Sequence, residues 1–304
     1  MMDADATPRW MRELERLASY KTQLYLYGNI KDTVLYPLGA DRAQWTLGPL
    51  REALFELFRH QLGGYEIIAS YNMVDGMFFA DSRDANTMSK QFDEIVSEVE
   101  KEAPQTAKGR TPQPTKPRDP VEHALQLMRA AMMNRQHPCV FIIEHASQLI
   151  SSPVNLLPNE RVNFLRLLKS SQESQTIAVG EAEQRRAVQN LLVLLCDKLA
   201  DLPPWLYLDN PFTGNIQIDP PHLAERRHFF DLFLRTNADM SDLTDLTDGM
   251  TIRDLCGIRA LARRPESADL NAKTLVDYFK FGVKESDWDN LDWARLEHAE
   301  EILA

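Results

Sequence analysis

Two short stretches constrain this chain more than any other part of it. "CVFII" (139–143) and "LLVLLC" (191–196) are uninterrupted apolar runs of strand length. A strand with one face in water alternates apolar and polar residues, so a run without alternation must be covered on both faces. Helices packed on either side of a parallel sheet give that coverage, and helical periodicity fills the intervals here. Residues 8–21 place Trp10, Met11, Leu14 and Leu17 on one side, and the next helical stretch repeats Leu50, Leu54, Leu57 and Phe58. Residues 86–100, 120–135 and "NERVNFLRLLKSSQE" (159–173) read as further helices. Further strands are expected at 23–28, 65–71 and 215–218, and Asp75-Gly76 reads as a turn. The expected fold class is α/β, a parallel sheet of about five strands with helices on both faces. From 241 onward only helices are expected, one of them opened by a Thr251/Asp254 capping pair. The expected division is an α/β base over 1–240, a helical lid over 241–285 and an acidic linker helix over 286–304.

Charge narrows the function. Over 304 residues the net charge is −11, which argues against a general binder of nucleic acid or anionic membrane. Cys139, Cys196 and Cys256 sit in apolar or helical stretches without C-x-x-C spacing, so reduced core thiols are expected, not a disulfide frame or a zinc site. The N-terminus "MMDADATPRWMRELERLA" is too polar for a signal peptide, and no run approaches the roughly 18 apolar residues of a membrane span. A soluble, cytoplasmic protein with no metal site is expected. "KEAPQTAKGRTPQPTKPRD" (101–119) combines four prolines with five basic residues, and reads either as a flexible surface loop or as a basic loop reaching an acidic partner.

One segment invites a phosphate-binding reading. "LYLYGNIKDTVLYP" (24–37) has an apolar lead-in, Gly28, then Lys31 and Thr33. The pattern G-x-x-x-x-G-K-[ST] needs two glycines, so that backbone N–H groups face the phosphates, and a helix directly afterwards. Here Gly28 precedes Lys31 by three residues, no second glycine intervenes, Asp32 adds a negative charge, and "TVLYP" is β-branched and ends at a proline. No working phosphate loop is expected.

The order of elements nevertheless resembles an AAA+ ATPase module, and hence a P-loop-NTPase-like sheet followed by a helical lid. "CVFIIEHA" resembles the Walker B strand, "NLLVLLCDKLADLP" the sensor-1 strand, "GNIQIDPPHLAERRHFFDLFL" the strand, proline and Glu-Arg pair before a helix, and "LTDGMTIRDLCGIRALARR" the sensor-2 helix. The resemblance covers roughly residues 10–285. By it, Glu144 takes the Walker B position, His145 that of the water-activating glutamate, Asp197 or Lys198 that of sensor 1, and Arg259 that of sensor 2. The tail from Tyr278 resembles the link that precedes a Clp-type module in tandem AAA+ proteins, which makes this chain similar to an N-terminal, non-hydrolysing module.

Each singled-out residue also has a plainer reading. Glu144 and His145 fit a polar strand end at the surface, Arg259 a solvated helix face, and Arg226 and Arg227 surface or interface charges. Trp205, Trp288 and Trp293 are either partner contacts or core and docking positions. The resemblance implies a scaffold or regulatory layer of an ATP-driven assembly that does not hydrolyse ATP by itself. Its partners would be further copies or an ATPase module in the same or another chain, without nucleic acid or membrane. Any ATP and magnesium would engage Glu144, Asp197 and Arg259. Two alternatives stay open: an ATPase with divergent motifs, and a nucleotide-free interaction module.

Overall fold

A computed structural model describes residues 7–80, 85–102, 119–180, 185–234, 238–267 and 270–282. The chain forms two compact units, Arg9–Asp219 and a second comprising Met1–Pro8 with Pro220–Ala304. Most of the 101–119 segment, the expected linker helix, Trp288 and Trp293 lie outside the described residues.

The first unit opens with α1 (Arg9–Ala18) and β1 (Gln23–Gly28), then a hairpin of β2 (Thr33–Leu38) and β3 (Gln44–Pro49). The helix α2 (Leu50–Glu56) runs into a π-helical turn at Leu57–Gln61. There follow β4 (Ile67–Asn72), β5 (Gly76–Phe79), α3 (Ala85–Glu102), α4 (Pro120–Met132), β6 (Cys139–Ile143) and α5 (Pro158–Glu173). A second hairpin, β7 (Thr176–Val179) with β8 (Arg186–Gln189), precedes β9 (Leu191–Cys196), α6 (Pro204–Tyr207) and β10 (Thr213–Ile218).

Six strands make one sheet in the order β10-β1-β9-β6-β4-β5, parallel throughout except for β5 at its edge. Successive side chains point to opposite faces, so each central strand feeds two cores. Leu24, Leu26, Val193 and Ile216 pack with Leu14, Leu54 and Phe58 from α1, α2 and the turn that continues α2. Tyr25, Phe141, Leu192 and Leu194 pack with Phe92, Met128 and Phe164 from α3, α4 and α5. Both apolar runs are thus buried on both faces, as their lack of alternation required.

The edge strand β5 differs from a purely parallel sheet, and its cause is local. The buried Asn72 accepts from the N–H groups of Val74 and Asp75 through Oδ1, and Gly76 adopts φ +75°, so the Asp75-Gly76 turn folds the chain back on itself. Neither the β2–β3 hairpin nor the β7–β8 hairpin was expected from periodicity. Both are short two-stranded ribbons outside the main sheet.

The second unit packs α7 (Leu223–Phe233), α8 (Met240–Leu246), α9 (Ile252–Ala262) and α10 (Ala272–Phe281). Thr251 and Asp254 form the expected capping box at α9. A Cβ on Gly257 would come within 2.4 Å of the Phe279 ring, so the missing side chain is what lets α10 approach α9. Arg226 corrects the surface reading. It is 3% exposed, donates to the carbonyls of Thr244 and Pro221, and pairs with Asp248 at 2.9 Å. No helix among the described residues is long and apolar enough to cross a membrane.

Candidate functional site at the carboxyl ends of the strands

The topology marks one place on the first unit. β1 lies between β9 and β10. The chain leaves β1 towards β4, beyond β9 and β6, whereas it leaves β9 towards β10, on the far side of β1. Connections therefore diverge above β1 and β9, and the crevice so formed is where α/β sheets hold ligands.

Here the chain's own groups bond to one another across that crevice. Gly28 ends β1 with φ +102°, and a Cβ there would lie 2.6 Å from the carbonyl oxygen of Ile218, the last residue of β10. Its N–H donates to the Asp197 carbonyl at 3.1 Å, that of Asn29 to the Ile218 carbonyl at 2.8 Å, and that of Ile30 to the Gly28 carbonyl at 2.8 Å. Asp32 receives the Thr33 N–H and the Asn29 amide on its two oxygens. Lys31 then reaches across to Asp197, Nζ to Oδ1 2.8 Å. The glycine serves close packing against β10, and the lysine meets a carboxylate where a nucleotide site would offer it a phosphate.

The neighbouring strand ends are tied in the same way. Ser147 accepts the Asp197 N–H at 2.9 Å and donates to Asp201 Oδ2 at 2.9 Å, and that same oxygen receives the Lys198 N–H. Glu144 at the end of β6 meets Arg51 of α2, Nη1 to Oε1 3.5 Å. The Arg51 guanidinium also lies over the Phe78 ring, 5.1 Å from its centroid. His145 is exposed and held at φ 56°. Cys196, beneath these groups, has its thiol pushed up to about 12 by burial, with Asp201 and Asp197 adding to the effect, so it stays protonated and unreactive.

The structure thus brings Glu144 and Asp197 to adjacent strand ends. Arg259 belongs to the second unit, where it lies over Phe233 at 5.2 Å with its Nε buried and unpartnered. Sequence reasoning missed Arg51, Ser147 and Asp201. The Lys198–Asp201 spacing carried a local capping signal, but Arg51 and Ser147 meet their partners only through the tertiary fold.

A nucleotide phosphate chain needs a row of free N–H donors with a helix N-terminus directly behind them. The residues present do not fit one. The N–H groups of Gly28, Asn29 and Ile30 in the β1 turn are already bonded, and the β2–β3 hairpin stands in the chain between that turn and α2. Among the described residues no three His, Cys, Asp or Glu side chains stand close enough to hold a metal ion.

Residues 2–219 match the family model described as AAA+ chaperone, N-terminal Rossmann-like domain. Its boundary coincides with the end of the first compact unit at Asp219. No curated protein matches the chain. Among solved structures, a chain of an E. coli MS115-1 HORMA:CdnC:Trip13 complex is similar at 14% identity and a TM-score of 0.42, covering 91% of this chain and 79% of that one. That likeness is too loose to inform the site.

Proposed function

The chain belongs to the AAA+ chaperone family defined by that N-terminal Rossmann-like domain, and we propose that it acts as a non-hydrolysing AAA+ module, a scaffold or regulatory layer in an ATP-driven assembly. One observation carries the reading: the Lys31–Asp197 pair bridges the crevice at β1 and β9, while the donors of the β1 turn are spent on Asp197, Ile218 and Gly28.

The chemistry explains why that matters. Phosphoryl transfer is catalysed by positioning and by charges aimed at the transferring group, with a further group orienting the attacking water. Here the Gly28, Asn29 and Ile30 N–H groups, which could donate to phosphate oxygens, donate to carbonyls instead. The Glu144 carboxylate faces a guanidinium, and by the family resemblance His145 takes the position of the water-orienting glutamate. Oxyanion donors are typically worth on the order of 10²–10³ each in rate, so a site whose donors are spent turns over at background. On this reading ATP and magnesium are handled by a partner module, and the sheet serves as a rigid frame for contacts.

The test is a phosphate-release assay on the wild type, Glu144→Gln and Lys31→Ala. All three should match the buffer control. Turnover in the wild type that Glu144→Gln abolishes would reveal a working site and end the scaffold reading.

A further inference from the structure

The opposite end of β1 carries a different kind of surface. Thr22 and Gln23 donate their N–H groups to the carbonyl of Phe212, and Lys21 Nζ donates to the carbonyl of Pro211 at 2.6 Å. These bonds bind the segment after α1 and the loop before β10 into one surface. Tyr20 at 50% and Phe212 at 39% exposure stand on the bonded segments, and Trp205 at 40% and Leu208 at 57% on and just after α6, which leads into that loop. At about 200 Å² for a large side chain they together expose roughly 350–400 Å² of apolar surface. Trp, Tyr and Phe are also the residues enriched at the centres of protein interfaces.

Charge selects the occupant. Arg16 donates to the Tyr20 hydroxyl at 3.0 Å, and Lys21 also lies over the Tyr20 ring at 5.4 Å from its centroid. Both cations are thus held by neutral oxygens or an aromatic face. Elsewhere on this unit Arg42, Arg129 and Arg166 are each spent on a carboxylate. In a chain of net charge −11, these two cations stand beside exposed aromatics, while Glu13, one turn before Arg16, is paired to Arg9 and Asp209 lies on the neighbouring loop.

We propose that this face, built from Arg16, Tyr20, Lys21, Trp205, Leu208 and Phe212, docks a protein segment that presents acidic side chains around an apolar stripe. The apolar stripe covers Trp205, Leu208 and Phe212, and its carboxylates engage Arg16 and Lys21. The position, about 20 Å along β1 from the Gly28 turn at roughly 3.3 Å per residue, leaves docking independent of the crevice.

The probe is a fluorescein-labelled 18-residue helical peptide with Leu and Trp at i, i+3, i+4 and i+7 spacing and Glu elsewhere, beside a counterpart with Lys in place of Glu. Anisotropy on the full chain should show binding of the acidic peptide that weakens with salt, and at least tenfold weaker binding of the basic one. Trp205→Ala and Lys21→Glu should each weaken the acidic peptide tenfold or more, and Arg16→Glu/Lys21→Glu should reverse the preference, with circular dichroism confirming that each variant is folded. No binding of the acidic peptide, equal binding of both, or binding untouched by Trp205→Ala overturns the proposal. So does preferential sedimentation with vesicles containing phosphatidylserine, lost in Trp205→Ala, which would make the face a membrane-contact surface. Phosphate release measured alongside separates this proposal from the scaffold reading, because none of these substitutions touches the crevice.

Discussion

The two ends of β1 have been treated in opposite ways. At its carboxyl end polar groups face inward onto one another: Lys31 onto Asp197, Ser147 onto Asp201, Glu144 onto Arg51. At its amino end apolar groups face outward and cations rest on neutral partners. A fold normally keeps ligand-seeking groups unsatisfied where the ligand sits, because each donor already bonded must be released before it can bind anything else. The difference teaches that the location of a site and its availability are separate properties. Topology sets the first, and local hydrogen bonding decides the second.

The sharpest way to break the comparison is at Gly28. Gly28→Val places a β-branched residue at φ +102° with its Cβ against the Ile218 carbonyl. It should cost about 3 kcal/mol or more, read as a lowered midpoint in urea. A near-neutral result would mean that the closed turn is not rigid.

Glu160, in the first turn of α5, gives a smaller, pH-dependent effect. Its carboxylate accepts from the N–H groups of Leu157 and Ser151 and from the Ser151 hydroxyl, which hold its pKa below the ordinary value. A lowered folded pKa means that this stability is fully present above the ordinary glutamate range and is lost as pH falls through the lowered value. Glu160→Ala should therefore cost about 1–2 kcal/mol at pH 7 and progressively less in strong acid. A penalty that stayed constant down to pH 2 would contradict the carboxylate's role.

Lys31→Ala removes one partner of a half-exposed pair and should change stability by less than about 1 kcal/mol. Equilibrium dialysis with ATP makes it informative. Lys31→Ala should bind no more nucleotide than the wild type, and new binding would mean that one ion pair alone blocks the crevice. Leu208→Ser, at the open end, should lie within about 0.5 kcal/mol of wild type. A larger loss in thermal unfolding would show that the exposed patch is part of the core.

Much of the fold could be read in advance because its strongest signals are local. Cys139–Ile143 and Leu191–Cys196 lack alternation and are buried on both faces, and the Thr251/Asp254 box forms as its spacing implies. The β2–β3 and β7–β8 ribbons escaped because short strands outside the main sheet leave little periodicity, and "WTLGP" merged with the helix after it. At the site, the absence of a second glycine before Lys31 was legible, and so was the polar ending of β6. The Lys31–Asp197 and Arg51–Glu144 pairs were not, since their partners lie 166 and 93 residues apart and meet only through strand order. Arg226 misled for a related reason, because nothing in "LAERRHFF" distinguishes the buried arginine from its exposed neighbour Arg227.

The place of β1 between β9 and β10 also governs how the chain can be made. Gln23 pairs with Leu192 on one side and Thr213 on the other, so the first strand to be translated finds neither neighbour until about 170–190 residues later. Long-range pairing of this kind is slow, because loop closure must precede any reward. A nascent chain ending before Thr213 would carry "LYLYG" with a bare edge, open to pairing with another copy. Ribosome-bound truncations at 200 and 225 should therefore differ abruptly in protease resistance. The same strand order that builds the central sheet thus leaves its first strand exposed for most of the time the chain takes to be made.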